Sequence, residues 1–297
     1  MDITFRQLQY FVALVDHRSF SAAAEASAIT QPNMSHQIKQ LEEALGFSLI
    51  ERQRKHFLVT PEGQEVYTRA RQMLTLRQEL TDFAHTVGKP LEGRLNVGVI
   101  PTIGPYLLPQ VVAAVRKDYP HLQLALTEAK THELLDMVAE GKLDIAFLAL
   151  PVDGTDGMRT LAVAEEPFMV ALPNGHALLK KSGLTVEDIL GERLLLLADG
   201  HCLRDHALEV CHRAGKVPGN VDFSATSLET LKQMVAQGAG ITLLPACAAR
   251  RASEEGYTVR PVVGSTVRRQ LGLAWRASSL RRKEFELLGT TFGKAIG

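Results

Sequence analysis

The chain has 297 residues, 45% of them hydrophobic and 22% charged. That is the composition of an ordinary globular protein, with length for about two domains of roughly 150 residues each. Lys plus Arg and Asp plus Glu each total 33, so net charge neither marks nor excludes a nucleic-acid partner. The opening MDITFRQLQYFVALV lacks a basic segment ahead of an unbroken apolar run, and no apolar run reaches about 18 residues, so neither a secretory leader nor a membrane span is expected. The cytosol is the expected location. Cys202, Cys211 and Cys247 are the cysteines. Their odd number argues against a disulfide framework and leaves free thiols or redox chemistry open.

Residues 1–60 read as short helices. Leu8, Phe11, Val12 and Val15 recur at three-to-four spacing, so 5–17 is expected to be helical with one apolar face. Ser21 to Ala26 forms a second, alanine-rich helix. Thr30 is placed to cap a third, Pro32 falls in its first turn, and Gly46 stops it. Ile38, Leu41 and Leu45 supply its buried face, and Phe57-Leu58-Val59 suits one strand of a small β-wing. A long helix over 61–88 follows, with Val66, Ala70, Met73, Arg77, Leu80, Ala84 and Val87 alternating steps of four and three. That heptad seam, broken once by Arg77, suggests a dimer-forming coiled coil; the alternative is a helix packed on its own sensor domain. Gly88, Pro90 and Gly93 mark a linker.

From residue 94 the period changes. The apolar runs LNVGVI, QLALTEA, DIAFLAL, FMVALP, RLLLLA, VDFSAT, ITLLPA and QLGLAW alternate with helical patterns at 105–117, 131–140, 202–214, 227–238 and 279–296. Such alternation means a parallel-rich α/β sheet. The stretch near 159–168 and the return near 266–268 read as hinge strands between two lobes. The expected fold class is α/β: an N-terminal winged helix-turn-helix (mainly α) at 1–60, a linker and dimerisation helix at 61–90, then a two-lobed, periplasmic-binding-protein-like sensor domain at 91–297. Lobe I takes 91–163 and 268–297, and lobe II takes 164–267.

A helix-turn-helix presents the N-terminal half of its second helix to the major groove. Here that half offers Gln31, Pro32, Asn33, Ser35, His36 and Lys39. Gln and Asn can make paired hydrogen bonds to adenine. Lys39, Arg52, Arg54 and Lys55 are placed to meet phosphates, which position a domain without specifying sequence. Basic residues 6, 18, 39, 52, 54 and 55 are matched by acidic residues 2, 16, 25, 42, 43 and 51, so a positive face requires segregation of charge.

The most informative stretch of the sensor half runs from Asp199 to Cys211, DGHCLRDHALEVC. Leu203, Ala207, Val210 and Ala214 suit one helical face, so 201–214 is expected to be a helix with Cys202 in its first turn. There the helix dipole and free N–H groups favour a thiolate, and an accessible low-pKa thiol is the kind that peroxide oxidises. His201 and Arg204 add positive charge, and Asp205 opposes them. Cys211, nine residues on, lies on about the opposite face and ~13–14 Å along the axis, whereas a disulfide needs Cα atoms within about 7 Å. Either these thiols never pair, or pairing requires the helix to unwind. The alternative is that both are inert packing cysteines. Cys247, after ITLLPA, reads as a small apolar residue near a strand end. Thr102 follows the first sensor strand and Thr131 opens the helix after the second, at the strand ends where open α/β sheets bind ligands; each could equally cap a helix or a turn. Arg269 could stabilise a thiolate or a leaving hydroxide, or form a surface salt bridge.

The segment FSAAAEASAITQPNMSHQIKQLEEALGFSLIERQRKHFLVTPEG, with its Gln31-Pro32, Gln37-Ile38, Leu41-Glu42, Leu45-Gly46, Leu49-Ile50-Glu51-Arg52 and Thr60-x-x-Gly63 positions, resembles the winged helix-turn-helix of LysR-type transcriptional regulators. The element order resembles that family over the whole chain. It departs at His36, where many members carry Arg. GHCLRDHALEVC, with IPTIGPYLLP at 100–109, EAKTHELL at 128–135, ATSLETLKQMVAQGAGITLLPA at 225–246 and RRQLGL at 268–273, resembles the family's peroxide-sensing OxyR branch. The resemblance implies that Cys202 is the peroxidatic thiol and Cys211 the resolving one. It implies that Thr102, Thr131, His201, Asp205 and Arg269 surround the peroxide. Further implications are a homodimer or homotetramer on double-stranded promoter DNA, RNA polymerase as a partner, and glutaredoxin or thioredoxin as reductant. No cofactor, metal or membrane is implied, and no enzymatic turnover. Two alternatives remain at this stage: a LysR-type regulator that binds a metabolite between its lobes, and a thiol peroxidase or hydrolase using Cys202 with His201.

Overall fold

Residues 3–53, 56–86, 91–198, 224–225, 227–250, 252–262 and 268–297 are described by the computed structural model. The helix expected at 201–214, with His201, Cys202, Asp205 and Cys211, lies outside the described residues, as do Arg54, Lys55 and the side chain of Arg52. The chain divides into an N-terminal unit and a larger regulatory unit.

In the N-terminal unit, α1 (Phe5–His17) opens on a capping box: the Thr4 hydroxyl accepts from the Gln7 N–H while the Gln7 side chain accepts from the Thr4 N–H. α2 (Phe20–Ala26) is capped by Ser19. α3 (Gln31–Leu45) starts at Thr30 and ends on Gly46, whose φ of +84° is the left-handed conformation that glycine adopts without strain. The expected Thr30 side-chain cap is not formed. A cap hydroxyl accepts from the second or third helical N–H, and the second residue here is Pro32, which has none. Phe11, Leu14, Ala23, Ala24, Met34, Ile38 and Leu41 make the core of this unit.

The wing is a two-stranded antiparallel hairpin, β1 (Ile50–Gln53) with β2 (His56–Val59), and Phe57-Leu58-Val59 lie in its second strand. Thr60 then joins wing to helix: its hydroxyl donates to the Ser48 carbonyl at 2.9 Å and accepts from the Gly63 N–H at 2.9 Å. A Cβ on Gly63 would lie 2.3 Å from the Leu49 carbonyl oxygen, so this turn admits no side chain there. α4 (Pro61–Thr86) begins at that turn. Its Val66, Tyr67 and Ala70 pack into the N-terminal core, while Met73, Leu76 and Leu80 are exposed. The expected seam therefore splits: its first two positions face the domain's own core, and apolar positions farther along are uncovered.

The regulatory unit is built on a mixed sheet. In chain order its elements are β3 (Gly93–Val99), α5 (Gly104–Asp118), β4 (Leu122–Glu128), α6 (Thr131–Ala139), β5 (Ile145–Leu150), β6 (Met158–Pro173), α7 (Val186–Leu190), β7 (Leu196–Leu197) and β8 (Ser224–Ala225). Then come α8 (Leu228–Ala236), β9 (Thr242–Pro245), β10 (Tyr257–Pro261), β11 (Arg268–Arg276) and α9 (Arg282–Ile296). The sheet order is β10-β6-β11-β5-β3-β4, with β9 also on β6. β3 runs parallel to β4 and β5, and β11 returns antiparallel between β5 and β6.

β6 is one strand of 16 residues. Met158 to Pro167 pair with β11, and Phe168 to Pro173 pair with β9 and β10. The hinge segment and the FMVALP strand of the sequence reading are thus parts of one element. Every residue of β5 is buried, as its unbroken apolar run requires of a strand covered on both faces. α7 and β10 were not legible at that stage, although Thr185 and Asp188 form a capping box at the start of α7. Among the described residues, no helix is long and apolar enough to cross a membrane.

Candidate functional sites

The first turns of α3 carry the residues singled out for DNA. Gln31, Pro32, Asn33, His36 and Lys39 are exposed and Ser35 is half-buried, while Met34 and Ile38 between them point into the core. One face of a single helix thus anchors the domain and the other stays open for contact. Lys39 is partly engaged, its ammonium 3.4 Å from the Glu43 carboxylate one turn on. Glu42 is turned away from that surface: its Oε1 accepts from the Leu49 N–H at 2.8 Å and the Ile50 N–H at 3.4 Å. Glu42 therefore caps the start of the wing, an acidic residue spent on structure.

Farther along this unit, the Asp16 carboxylate accepts from the Tyr67 hydroxyl at 2.5 Å and from Arg71 at 3.1 Å. Burial and the Asp16 carboxylate push the Tyr67 phenol up to about 12, so it stays a donor and ties α4 to α1.

In the regulatory unit, Thr102 and Thr131 stand beyond the carboxyl ends of the adjacent parallel strands β3 and β4, and both are buried. Arg269 lies in β11 with its side chain 0% exposed. Its Nη1 donates to Thr102 Oγ1 at 2.8 Å and its Nη2 to the Thr102 carbonyl at 3.0 Å. On the other side Nε donates to Glu166 Oε2 at 2.8 Å, and Nη2 lies 2.7 Å from the same oxygen. Arg269 does form a salt bridge, then, but a buried one. His201, Cys202, Asp205 and Cys211 lie outside the described residues, so of the proposed peroxide-site residues the structure places Thr102, Thr131 and Arg269, and joins the first and last directly.

Glu166 was missed in the sequence. Its signal was there: Glu165-Glu166 and Arg268-Arg269 are like-charged doublets on two strands that pair, and strand alternation sends one member of each to either face. Glu165 and Arg268 meet at 3.6 Å on the exposed side, and Glu166 and Arg269 meet on the buried one. Cys247 completes the cluster. Its N–H donates to Glu166 Oε1 at 2.6 Å, and its sulfur lies 3.8 Å from Arg269 Nη2. Burial, reinforced by the Glu166 charge and partly offset by Arg269, pushes its thiol up to about 12. A thiol held neutral is not a nucleophile, which agrees with the bland reading of this residue.

A second polar cluster joins α5 to α8. The Tyr106 hydroxyl donates to Glu229 Oε1 at 2.6 Å. Lys232, 3% exposed, bridges Glu229 and Glu255. Burial alone would raise the Glu229 carboxyl, but the Tyr106 hydroxyl and the Lys232 ammonium outweigh it and hold that carboxyl below the usual range.

A winged helix-turn-helix followed by a two-lobed α/β regulatory domain defines a transcription regulator, not an enzyme. Comparison with known families agrees: residues 5–64 match the bacterial regulatory helix-turn-helix of the LysR family, and residues 88–294 match the LysR substrate binding domain. The chain belongs to the LysR family of bacterial regulators. It is 39% identical over 290 residues to the hydrogen peroxide-inducible genes activator of Pectobacterium carotovorum subsp. carotovorum, covering 97% of this chain and 95% of that one. Among solved structures it is similar to a full-length OxyR variant from Pseudomonas aeruginosa, with TM-score 0.79 and 32% identity over 98% of both chains. It is also similar to a hydrogen peroxide-bound OxyR mutant from Corynebacterium glutamicum, with TM-score 0.70 and 32% identity, covering 100% of this chain and 93% of that one.

Proposed function

We propose that this protein is a cytosolic, peroxide-responsive transcription regulator whose switch is oxidation of Cys202. The observation that carries this reading is the end-to-end likeness to a regulator named for induction by hydrogen peroxide, at 39% identity over 97% of the chain. The donor-rich grouping of Thr102 and Arg269 at the strand ends supports it. In this reading residues 1–60 bind promoter DNA through Gln31, Pro32, Asn33, Ser35, His36, Lys39, Arg52, Arg54 and Lys55. Residues 61–90 form the linker, which dimerises through α4, and 91–297 form the sensor, lobe I being 91–163 with 268–297 and lobe II 164–267. Thr102, Thr131, His201, Asp205 and Arg269 line the peroxide site.

The Cys202 thiolate attacks one peroxide oxygen, the O–O bond breaks, and hydroxide leaves to take up a proton as water. The Cys202 sulfenic acid is then attacked by the Cys211 thiolate. An S–S bond forms, and the sulfenic oxygen leaves as hydroxide and is protonated to water. Peroxide is reduced by two electrons and the two thiols are oxidised to one disulfide, which a cytosolic glutaredoxin or thioredoxin reverses by thiol exchange. In this reading the helix expected at 201–214 loosens so that Cys211 reaches Cys202, and that change shifts the sensor and, through the oligomer, the contact with promoter DNA and RNA polymerase.

The test is thiol trapping and mass spectrometry of the full-length reduced protein after about equimolar peroxide. A Cys202–Cys211 disulfide that forms in wild type and is absent in Cys202→Ser supports the reading. Free thiols alongside persisting peroxide reject it.

A further inference from the structure

Glu166 has both carboxylate oxygens committed. Oε2 takes Arg269 Nε at 2.8 Å and Oε1 takes the Cys247 N–H at 2.6 Å. Glu166 and Arg269 are direct partners in the antiparallel ladder of β6 and β11, so their side chains share a face and meet without a long reach. A guanidinium held on that edge has one orientation, and in it the far edge grips Thr102 twice, at Oγ1 and at the carbonyl oxygen.

The chemistry at Thr102 follows from the donor count. Arginine offers only donors, and a hydroxyl has one proton and two lone pairs. Thr102 Oγ1 must therefore accept from Arg269, and its own proton points to another acceptor. The carbonyl of Thr102 accepts from Arg269 Nη2 at 3.0 Å and from the Cys247 thiol at 4.0 Å, which accounts for both of its lone pairs. A hydroxyl that already accepts a charge-assisted bond is, by polarisation, a better donor.

We propose that Glu166 is a positioning residue for the peroxide reaction: it fixes Arg269 as the donor to Thr102, so that the Thr102 hydroxyl presents its proton to a peroxide oxygen. This rests on the reading of Cys202 as the reacting thiol. It gives Arg269 a role through Thr102, distinct from the expectation that it stabilises the thiolate or the leaving hydroxide itself.

The test compares two reactions of Cys202 in the full-length reduced protein: oxidation by hydrogen peroxide, followed by rapid quenching and mass spectrometry, and alkylation by iodoacetamide across pH. Alkylation reports the thiol's acidity and access without needing a donor to peroxide. Glu166→Gln and Thr102→Val should each slow peroxide oxidation roughly 10- to 100-fold, as a small displacement of a positioning group does. Their combination should be no slower than either alone, alkylation profiles should match wild type, and Glu166→Asp should recover part of the rate. A wild-type peroxide rate in Glu166→Gln overturns the proposal. So does a parallel loss of both reactions, which would leave Glu166 a scaffolding role only. If Glu166→Gln does not fold, the neutral pair Glu166→Gln with Arg269→Met replaces it: a rate matching Thr102→Val supports the proposal and a wild-type rate overturns it. Failure of wild type to react with peroxide at all would overturn the functional reading, and this inference with it.

Discussion

Glu166 and Arg269 oppose each other across the β6–β11 ladder and close the same pair through their side chains, with 0% of the arginine side chain and 8% of the glutamate side chain exposed. A buried ion pair of this kind repays its desolvation only while both members are present.

Breaking that pair should be costly in stability. Glu166→Ala leaves the guanidinium buried without a counter-charge and is expected to cost about 3–5 kcal/mol. The double variant Glu166→Gln with Arg269→Met removes both charges and should cost less than the sum of the single changes. Urea unfolding of wild type, Glu166→Gln, Arg269→Met and their combination checks this; additive losses would show that the two charges do not depend on each other.

Cys247 gives the stability curve an alkaline slope. Its folded thiol is pushed up to about 12, first by burial and then by Glu166, while an unfolded thiol ionises near about 8.5. Above that lower value the unfolded chain releases the proton and the folded chain keeps it. Stability is therefore lost as pH rises from about 8.5 toward 12, at up to about 1.4 kcal/mol per pH unit. Measured between about pH 8.5 and 9.5, below the ordinary tyrosine range, the slope should be shallower in Cys247→Ala than in wild type. Equal slopes would mean that the thiol ionises as readily folded as unfolded.

The exposed face of α3 separates specificity from attraction. Gln31→Ala should relax base preference at one operator position by about 1–3 kcal/mol, seen when duplexes selected from a random pool are sequenced. Glu43→Gln releases Lys39 from its 3.4 Å ion pair. That variant should bind duplexes of any sequence more tightly and steepen the salt dependence of log K by up to about 0.9 if one more phosphate is met. Fluorescence anisotropy across a salt series reads both effects, and an unchanged slope would show that Lys39 does not reach the backbone.

Gly63→Ala should disable the N-terminal unit selectively. The added Cβ would fall 2.3 Å from the Leu49 carbonyl oxygen and 2.8 Å from Val59 Cγ1. The turn that joins the wing to α4 must then shift. DNA binding is expected to fail while Cys202 in the regulatory unit still reacts with peroxide at the wild-type rate. Retained DNA affinity would show that the turn can adapt.

The sequence was most legible where structure is local. The starts of α1, α3 and α4 and the stop at Gly46 are set by residues within a few positions of one another, and the alternation of apolar runs and helices from residue 94 marked an α/β sheet. What stayed hidden depends on distant strands. Nothing near Glu166 announces that β11 will bring Arg269 opposite it, 103 positions later in the chain; the doublets were visible, but their pairing needed the sheet order. β10 was missed because YTVRP is short and ends in proline, a weak strand signal at a sheet edge. Thr102 and Arg269 were grouped only by the family resemblance, and it is the fold that joins them by a hydrogen bond.

The uninterrupted course of β6 has a thermodynamic corollary. Because Met158 to Pro167 hydrogen-bond to β11 and Phe168 to Pro173 to β9 and β10, the two halves of the regulatory sheet cannot melt apart without tearing a strand that both use. Calorimetry of this unit should show one transition with matching calorimetric and van't Hoff enthalpies. No cut between residues 158 and 173 should release a half that folds by itself. One strand thus makes the two halves of the sheet a single cooperative unit.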